Sequence, residues 1–327
     1  MAVQLKLKEL SRKEELLSGG HRMCAGCGAP IVVRQILLAI DEPVVIANAT
    51  GCLEVATTIY PYTAWRMPWI HSAFENAAAT ISGVEAMYQS LKKQGKIPAD
   101  RKIKFLAFGG DGGTYDIGLQ SLSGALERGH DFMYVCYDNG AYMNTGIQRS
   151  SATPFGADTT TSPAGSVLQG KMQNRKDLTK IALAHGVPYV AQASPHNWKD
   201  LMSKVQKAMS IEGAKFMNVI APCNRGWRTQ TNDAIQLSKL AVNVCYWPLY
   251  EVEYGKTTLN YHPKKNRRPI VDWLKPQGRF KHLFKPENEW MLKKFQGYVD
   301  ENWRSIVKAH NESHLEAQMD PDEGMTW

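Results

Sequence analysis

An aspartate inside a run of glycines is the feature of this sequence with the clearest chemical meaning. Asp111 lies within the glycine-rich segment 109–113, which follows a short apolar run and precedes leucines at helical spacing. A strand, a glycine-rich turn and a helix N-terminus together favour an anion such as a phosphate, because free backbone N–H groups and the helix dipole point towards it. A carboxylate in that corner would repel the phosphate unless a divalent cation such as Mg2+ lay between them.

A further oxygen ligand for this cation is predicted at the end of the next strand. The apolar run 132–137 predicts a strand, Asn139 follows it, and the Ala141 carbonyl comes two residues later. An ordinary strand–helix–strand unit, in which the glycines only permit a turn, is the alternative. The spacing to Asn139 and the polar loop after it favour the metal-binding interpretation. The order Gly-Asp-Gly, helix, strand, Asn resembles the pattern of thiamine-diphosphate enzymes.

Four cysteines predict a second site. Cys24 and Cys27 are separated by two residues in a glycine-rich segment, whereas Cys52 and Cys223 each follow a predicted buried strand. Because the carboxyl ends of parallel strands meet at one edge of a doubly wound sheet, these thiols are expected to converge beside the phosphate corner. Zinc and an iron–sulfur cluster both accept four thiolates, so the ligand set alone does not decide between them.

The other two cysteines are predicted to be structural. Cys136 lies inside an apolar run, and Cys245 ends a predicted helix beside two aromatic residues. Both are therefore expected to be buried thiols without a metal. A disulfide framework is not expected in a chain of this length without an export signal.

Length and composition predict the fold class. The chain has 327 residues, of which 43% are hydrophobic and 21% are charged, as in soluble globular proteins. Apolar runs alternate with segments of helical periodicity, which predicts an α/β fold with a doubly wound, mostly parallel sheet. We expect one domain over residues 1–246 and an irregular C-terminal extension over 247–327 that contacts partner subunits.

The ends and the charge of the chain suggest its location and partners. The first residues lack the apolar core of a signal peptide, and no apolar run approaches the roughly 18 residues of a membrane span. A cytoplasmic location without membrane contact is therefore expected. The formal net charge is +8, with basic residues concentrated after Lys256, but no nucleic-acid-binding module accompanies them. Acidic protein partners or a solvated surface explain this charge equally well, and no nucleic acid is expected.

Six segments resemble the beta subunit of 2-oxoacid:ferredoxin oxidoreductases, closest to the pyruvate:ferredoxin oxidoreductase class. They cover most of the chain, and several are long enough to be specific. The segments are CAGCG (24–28), ATGCLE (49–54), YPYTAWRMPWIHSAFENAA (60–78), GGDGGTYDIG (109–118), YDNGAYMNTGIQRS (137–150) and GRFKHLF (278–284).

The resemblance implies three cofactors: thiamine diphosphate, Mg2+ and a [4Fe–4S] cluster. It implies that the cluster is ligated by Cys24, Cys27, Cys52 and Cys223. It also implies that Asp111, Asn139 and the Ala141 carbonyl hold Mg2+, on a sheet of the thiamine-diphosphate-binding type.

The resemblance also assigns residues around the thiamine diphosphate. Gly110 and Gly112 would cradle its diphosphate. Asn144 would reach its reactive end as the catalytic residue of this chain, and Thr145 would support the loop. The other residues expected to contact the cofactor are Thr50, Gly51, Cys52, Gly113, Tyr142 and Met143.

The reaction implied is the oxidative decarboxylation of pyruvate, with coenzyme A taking the acyl group and the cluster passing electrons to ferredoxin. Oxalate without coenzyme A, 2-oxoisovalerate and 2-oxoglutarate are alternative substrates on the same scaffold. In this family the pyrimidine side of the cofactor is bound by another subunit, so the chain is expected to need alpha and gamma or delta subunits. Glu54 and Glu75 are therefore expected to have supporting roles only.

Two other functions remain as alternatives at this point. A non-redox thiamine decarboxylase or synthase would bind the same cofactor without iron. A zinc-bearing, basic nucleic-acid-binding module would use the cysteines and the charge without thiamine. Metal content and thiamine content would separate all three.

Overall fold

The chain alternates strands with helices, as its apolar pattern predicts. A computed structural model describes residues 5–263 and 267–315. The strands in this described part are β1 (Val44–Asn48), β2 (Trp69–His71), β3 (Lys104–Gly110), β4 (Met133–Asp138), β5 (Tyr189–Ala193), β6 (Lys215–Ile220), β7 (Tyr250–Glu253) and β8 (Lys256–Leu259). The α-helices there are α1 (Leu7–Leu10), α2 (Gly28–Leu38), α3 (Cys52–Thr57), α4 (Ala77–Lys93), α5 (Leu119–Glu127), α6 (Leu178–Leu183), α7 (Trp198–Ser210), α8 (Asn224–Trp227), α9 (Ala234–Asn243), α10 (Val271–Leu274) and α11 (Glu289–Leu315).

These strands form one sheet in the order β2-β1-β3-β4-β6-β5-β7-β8. The pairs among β1 to β6 are parallel, whereas β7 pairs antiparallel with β5 and with β8. Strands β3, β4 and β6 are almost wholly buried, because helices cover both faces of the sheet. The predicted α/β class with a mostly parallel sheet is therefore present.

The register of β3 and β4 positions the predicted metal ligands. Gly110 pairs with Tyr137, so the two strands end side by side. Asp111 and Asn139 follow these ends directly and emerge at the same edge of the sheet. Helices α2 and α7 pack on one face of the sheet, and α4, α5 and α6 cover the other face.

The structure differs from the sequence-based prediction in short elements. The glycines of segment 109–113 predict a tight turn, but β3 continues through Gly110 and a π-helix spans Gly112–Asp116. Strand β2, within the aromatic segment 60–78, has no counterpart among the elements predicted from the sequence, and helix α3 begins directly at Cys52. The basic segment after residue 263, expected to be irregular, contains α10 and a 3-10 helix over Gly278–Phe284.

The C-terminal part of the chain packs onto the sheet that the earlier residues form. The β7–β8 hairpin extends this sheet, and α11 packs against β8. Trp247, Trp273 and Phe295 share one apolar cluster with Ile220 of β6. The division at residue 246 stays a prediction, and residues 316–327 of the predicted extension lie outside the described part. Across residues 5–263 and 267–315, no helix is long and apolar enough to cross a membrane.

Candidate functional site

The three predicted Mg2+ ligands meet at the carboxyl ends of β3 and β4. One end of the Asn139 carboxamide lies 2.8 Å from Asp111 Oδ1 and 2.8 Å from the Ala141 carbonyl oxygen. If the Asn139 side-chain nitrogen occupies that end, it donates hydrogen bonds to both oxygens. If the side-chain oxygen occupies it, three oxygen atoms from Asp111, Asn139 and Ala141 face one another. Asp111 is fully buried, and Asn139 and Ala141 are also buried. Neighbouring strands thus bring together groups that are far apart in sequence.

Asp111 is a carboxylate in an unfavourable place for an isolated negative charge. Burial, together with the nearby carboxylate of Asp138, raises the pKa of Asp111 well above its ordinary value. Hydrogen bonds from the Ser150 hydroxyl and from the Asn139 backbone N–H oppose that shift. A small hard cation at Asp111 would offset the cost of the buried charge, because it binds carboxylate, carboxamide and carbonyl oxygens. The residues present therefore fit Mg2+.

The loop after β4 folds back over the π-helix. A Cβ built on Gly112 would lie 2.4 Å from the ring of Tyr142, so only glycine leaves room for that ring. The Tyr142 hydroxyl donates to Asp116 at 3.2 Å. Thr145 bonds with Gln148 through both its hydroxyl and its carbonyl oxygen. Asn144, the predicted catalytic residue, lies exposed beside Thr145 in this loop.

Met143 joins the same loop to the segment of Cys223. Its sulfur would lie 2.1 Å from a Cβ at Gly226, so its side chain packs directly on the backbone of α8. The Gly226 N–H in turn donates a hydrogen bond to the Cys223 sulfur, with 3.4 Å between nitrogen and sulfur. The loop predicted to contact thiamine and the segment predicted to bind the cluster are therefore in contact.

The other predicted cofactor residues line the same edge. Thr50 bonds with His71 at 2.7 Å, and Gly51 precedes α3. A Cβ at Gly51 would lie 2.9 Å from the Tyr137 hydroxyl, and one at Gly110 would lie 3.3 Å from its ring. That hydroxyl is buried and has no hydrogen-bond partner within the described residues. Gly113 lies against Phe74.

Backbone hydrogen bonds tie the Cys24–Cys27 segment to the segments of the other two predicted cluster ligands. The Gly28 N–H donates to the Pro222 carbonyl at 2.9 Å, and the Arg22 N–H donates to the Ala56 carbonyl of α3 at 2.8 Å. Gly26 has a φ of +77°, and a Cβ there would overlap Thr231. The glycines of this segment thus allow the close approach that brings the cysteine segments together.

The four thiols interact electrostatically but do not form a preassembled metal site. Burial, followed by the influence of the other thiols, raises the pKa of Cys27 to about 12 and that of Cys52 to about 11. Cys24 and Cys223 are among the charges that act on both. Among residues 5–263 and 267–315, no three His, Cys, Asp or Glu side chains are arranged as metal ligands. Cluster binding would have to release the thiol protons and draw the sulfurs together.

Cys136 and Cys245 are buried in apolar clusters, as predicted. Glu54 lies 3.8 Å from His71, and Glu75 is exposed.

Several residues at this site were not predicted from the sequence. Ser150 bonds to Asp111, and the Trp227 indole N–H donates to the Asn139 carbonyl at 2.6 Å. Arg279 is buried, and its Nη1 lies 3.2 Å from the position of a Cβ at Gly140. All three lie in loops or short helices without periodicity. Arg279 lies in the GRFKHLF segment, which stands out in the sequence only by its resemblance to the family.

A family profile described as "Thiamine pyrophosphate enzyme, C-terminal TPP binding domain" matches residues 49–219. The chain is 22% identical to a 2-oxoglutarate:ferredoxin oxidoreductase from Magnetococcus marinus, solved with 2-oxoglutarate, coenzyme A and succinyl-CoA bound. That match has a TM-score of 0.50 and covers 66% of this chain and 76% of the other, which supports the predicted fold.

Curated relatives match over nearly their whole length. The chain is 54% identical to pyruvate synthase subunit PorB of Methanocaldococcus jannaschii, covering 90% of this chain and 97% of the relative. It is 51% identical to PorB of Thermotoga maritima, covering 94% and 96%, respectively. It is 42% identical to ketoisovalerate oxidoreductase subunit VorB of Pyrococcus abyssi, covering 90% and 93%. The resemblance found in the sequence is thereby confirmed, and the chain belongs to the family of thiamine pyrophosphate enzymes that includes the PorB and VorB subunits.

Proposed function

We propose that the chain is the thiamine-diphosphate-binding beta subunit of a pyruvate:ferredoxin oxidoreductase. The observation that supports this most directly is the meeting of Asp111, Asn139 and the Ala141 carbonyl at one edge of the sheet. Pyruvate is proposed ahead of other 2-oxoacids because the PorB relatives are more similar to the chain than VorB is. When bound, thiamine diphosphate supplies the carbanion chemistry by which a 2-oxoacid loses CO2.

The residues of this chain would bind and orient that cofactor. Asp111, Asn139 and the Ala141 carbonyl would hold Mg2+ against the diphosphate, and the backbone of Gly110 and Gly112 would cradle it. The ring of Tyr142, which packs on Gly112 of the π-helix, would cover one side of the diphosphate site. Asn144 is proposed to act at the reactive end of the cofactor, since the loop presents it to the open side.

We further propose that Cys24, Cys27, Cys52 and Cys223 hold a [4Fe–4S] cluster. The support is the tethering of their three segments and the mutual effect of the thiols on their pKa values. An iron–sulfur cluster suits a redox enzyme of this family better than zinc, because it accepts electrons singly and passes them on. Ferredoxin would be the final acceptor, and coenzyme A would take the acyl group.

Partner subunits would complete the active site. The described residues offer one diphosphate corner, and a thiamine enzyme also needs a pocket that grips the pyrimidine ring and a carboxylate beside it. We propose that alpha and gamma or delta subunits supply these. Residues after 246 are proposed to contribute contacts to those subunits, and the isolated chain is expected to be inactive.

The experiment that tests this proposal is anaerobic purification of the native complex followed by analysis of its contents. We expect thiamine diphosphate, Mg2+, and about four irons and four sulfides in this chain, as one [4Fe–4S] cluster contains. Pyruvate with coenzyme A should reduce a viologen dye, whereas oxalate, 2-oxoisovalerate and 2-oxoglutarate should be poor substrates. Turnover of oxalate without coenzyme A would overturn the substrate assignment, and a zinc-containing complex without thiamine would overturn the function.

Matched cysteine variants test the cluster ligands. Cys223→Ala should lose most of the iron and sulfide of this chain, since one of four ligands is removed. Cys136→Ala also removes one thiol, but from the core of β4, and should retain the cluster. Equal iron contents in the two variants would refute the proposed ligand set.

A further inference from the structure

Two side chains from other parts of the chain hold the backbone of the loop that carries the proposed Mg2+ ligands. The Trp227 indole N–H donates to the Asn139 carbonyl at 2.6 Å, and the Thr153 hydroxyl donates to the Gly140 carbonyl at 2.8 Å. Both donor side chains are buried. Water therefore cannot readily replace them, and a carbonyl that lost its donor would bear the cost of a buried, unsatisfied polar group.

These hydrogen bonds lead up to the one carbonyl that is a proposed metal ligand. The carbonyl of Asp138 accepts from the Ala221 backbone N–H at 2.7 Å, which completes a row of three consecutive carbonyls held by the protein. Gly140 has a φ of +77°, in the left-handed region that glycine adopts readily. The Ala141 carbonyl, next in the row, lies 2.8 Å from one end of the Asn139 carboxamide. The backbone before Ala141 thus sets the distance between two proposed ligands.

The ring of Trp227 is itself fixed by its neighbours. Its centre lies 4.3 Å from the Arg279 guanidinium and 5.6 Å from the ring centre of Trp273, to which it is nearly perpendicular. Arg279 also closes the space beside Gly140, because its Nη1 lies 3.2 Å from the position of a Cβ there. The indole N–H is therefore held in one orientation, towards the carbonyl of a proposed ligand 88 residues earlier in the chain.

We propose that Trp227 is a positioning residue for the Mg2+ site. By holding the Asn139 backbone, its indole N–H keeps the Asn139 carboxamide and the Ala141 carbonyl beside each other before the metal binds. This inference rests on the proposed function and adds to it a residue that is not itself a ligand. Groups that are already in place bind a cation more tightly, because less ordering accompanies its arrival.

The test measures the Mg2+ concentration for half-maximal binding of thiamine diphosphate, by calorimetry on the intact complex after anaerobic removal of both. Trp227→Phe removes the indole N–H and keeps an aromatic ring against Arg279. We expect the Mg2+ concentration to rise by about 10- to 100-fold, as for other losses of hydrogen bonds behind metal ligands. Saturating Mg2+ should restore the binding of thiamine diphosphate, because the metal then holds the loop that the indole no longer holds.

Trp273→Phe is the matched control. Trp273 is buried against the same Arg279, but its indole N–H has no hydrogen-bond partner in the parts of the chain that the structure describes. The control removes the same ring atoms without removing a bond to the loop, so its Mg2+ requirement should equal that of the wild type. If Trp227→Phe fails to assemble, a tryptophan analogue with sulfur in place of the ring N–H keeps the shape of the side chain at position 227. The same rise is expected with this analogue.

Three results would overturn the inference. The first is an unchanged Mg2+ requirement in an assembled complex that lacks the Trp227 N–H, and the second is an equal rise in the Trp273 control. The third is weaker binding of thiamine diphosphate that saturating Mg2+ does not restore, which would make Trp227 a structural residue only. A wild-type complex that binds no thiamine diphosphate at any Mg2+ concentration would instead refute the proposed function itself.

Discussion

The hydroxyl of Ser150 donates a hydrogen bond to Asp111 Oδ2 at 2.5 Å, and both side chains are buried. Asp111 Oδ1, the other carboxylate oxygen, faces Asn139. Ser150 therefore fixes the rotation of the carboxylate that is proposed to bind Mg2+. Outer partners of this kind orient a ligand and set its basicity without touching the metal.

We expect Ser150→Ala to weaken Mg2+-dependent binding of thiamine diphosphate by about 10- to 100-fold, as losses of outer hydrogen bonds to metal ligands do. The measurement is a calorimetric titration of the cofactor at a series of Mg2+ concentrations. Ser151→Ala is the control, because the structure uses the backbone of Ser151 rather than its hydroxyl to bond Asp116 and Lys171. Equal affinities in the two variants would show that Ser150 does not orient the ligand.

Asp111→Asn should separate cofactor binding from stability. Because burial raises the pKa of Asp111, its contribution to stability in the metal-free protein is present at low pH and lost as pH rises through the raised pKa. The neutral asparagine avoids this loss. At pH 8 without Mg2+ we expect the variant to be more stable than the wild type by about 1–3 kcal/mol, the order of the desolvation cost of one buried polar group.

The same variant should not respond to the cofactor. Mg2+ and thiamine diphosphate should raise the free energy of unfolding of the wild-type complex by about 2.7 kcal/mol at a ligand concentration of 100 times the dissociation constant. The midpoint of thermal unfolding should rise accordingly. Asp111→Asn should show no shift. Asp116→Asn should keep it, since Asp116 bonds to Ser151 and Tyr142 and is not a proposed ligand. A cofactor-dependent shift in Asp111→Asn would exclude Asp111 as the main metal ligand.

Two glycine substitutions compare crowding with backbone freedom. Gly112→Ala would place a methyl group 2.4 Å from the Tyr142 ring, so the loop over the π-helix must move. We expect this variant to lose at least tenfold in cofactor affinity and about 1–3 kcal/mol in stability, a range typical of overpacking. Gly83→Ala, in the middle of α4 with open space around it, should instead gain about 0.5–1 kcal/mol. Unchanged cofactor affinity in Gly112→Ala would mean that Tyr142 does not cover the diphosphate site.

The sequence predicts the long elements well because their signal is local. Apolar runs such as those of β3, β4 and β6 are unbroken, since both faces of each strand are buried. Strand β2 is missed because its three residues are too short for a periodic signal and become a strand only by pairing with β1. The π-helix is missed because glycines carry no pattern, and its conformation depends on packing against Tyr142 and Phe74.

The site is predicted as far as it follows from the topology. Asp111 and Asn139 could be identified because each follows a parallel strand, and these strands pair side by side. Ser150 and Arg279 could not, because a loop and a short 3-10 helix bring them to the site through contacts distant in sequence. Ser150 is 39 residues from Asp111, at the end of a segment that stands out only by its resemblance to the family. Arg279 is held by the rings of Trp227 and Trp273, which belong to separate helices. No local sequence pattern predicts such a contact.

Lys171 holds the loop that carries Ser150. Its amine donates to the carbonyl oxygens of Ser151 and Thr153 at 3.1 and 2.6 Å, and its side chain is almost fully buried. Burial, together with the nearby charges of Arg149 and Arg175, lowers the pKa of Lys171 to about 7. The carboxylates of Asp116 and Asp138 act in the opposite direction but do not cancel the shift.

This lowered pKa predicts a definite pH dependence of stability. Between about pH 7 and pH 10.5 the unfolded chain binds a proton at Lys171 that the folded chain does not, so the free energy of unfolding should rise with pH. One such group contributes at most about 1.4 kcal/mol per pH unit. In Lys171→Met the contribution is absent, so the stability difference between wild type and variant should widen as pH increases. Denaturant unfolding from pH 6.5 to 9.5 measures it.

The variant Lys171→Gln distinguishes the effect of losing the ionisable amine from the effect of losing its hydrogen bonds to the loop carbonyls. Glutamine cannot titrate but can still donate to one of the carbonyls, so this variant should be more stable than Lys171→Met at every pH. Its stability should nevertheless change with pH in parallel with that of Lys171→Met, because both lack the ionisable amine. A constant difference from the wild type across the range would show that Lys171 stays charged in the fold, and that its buried charge is satisfied by the loop carbonyls alone.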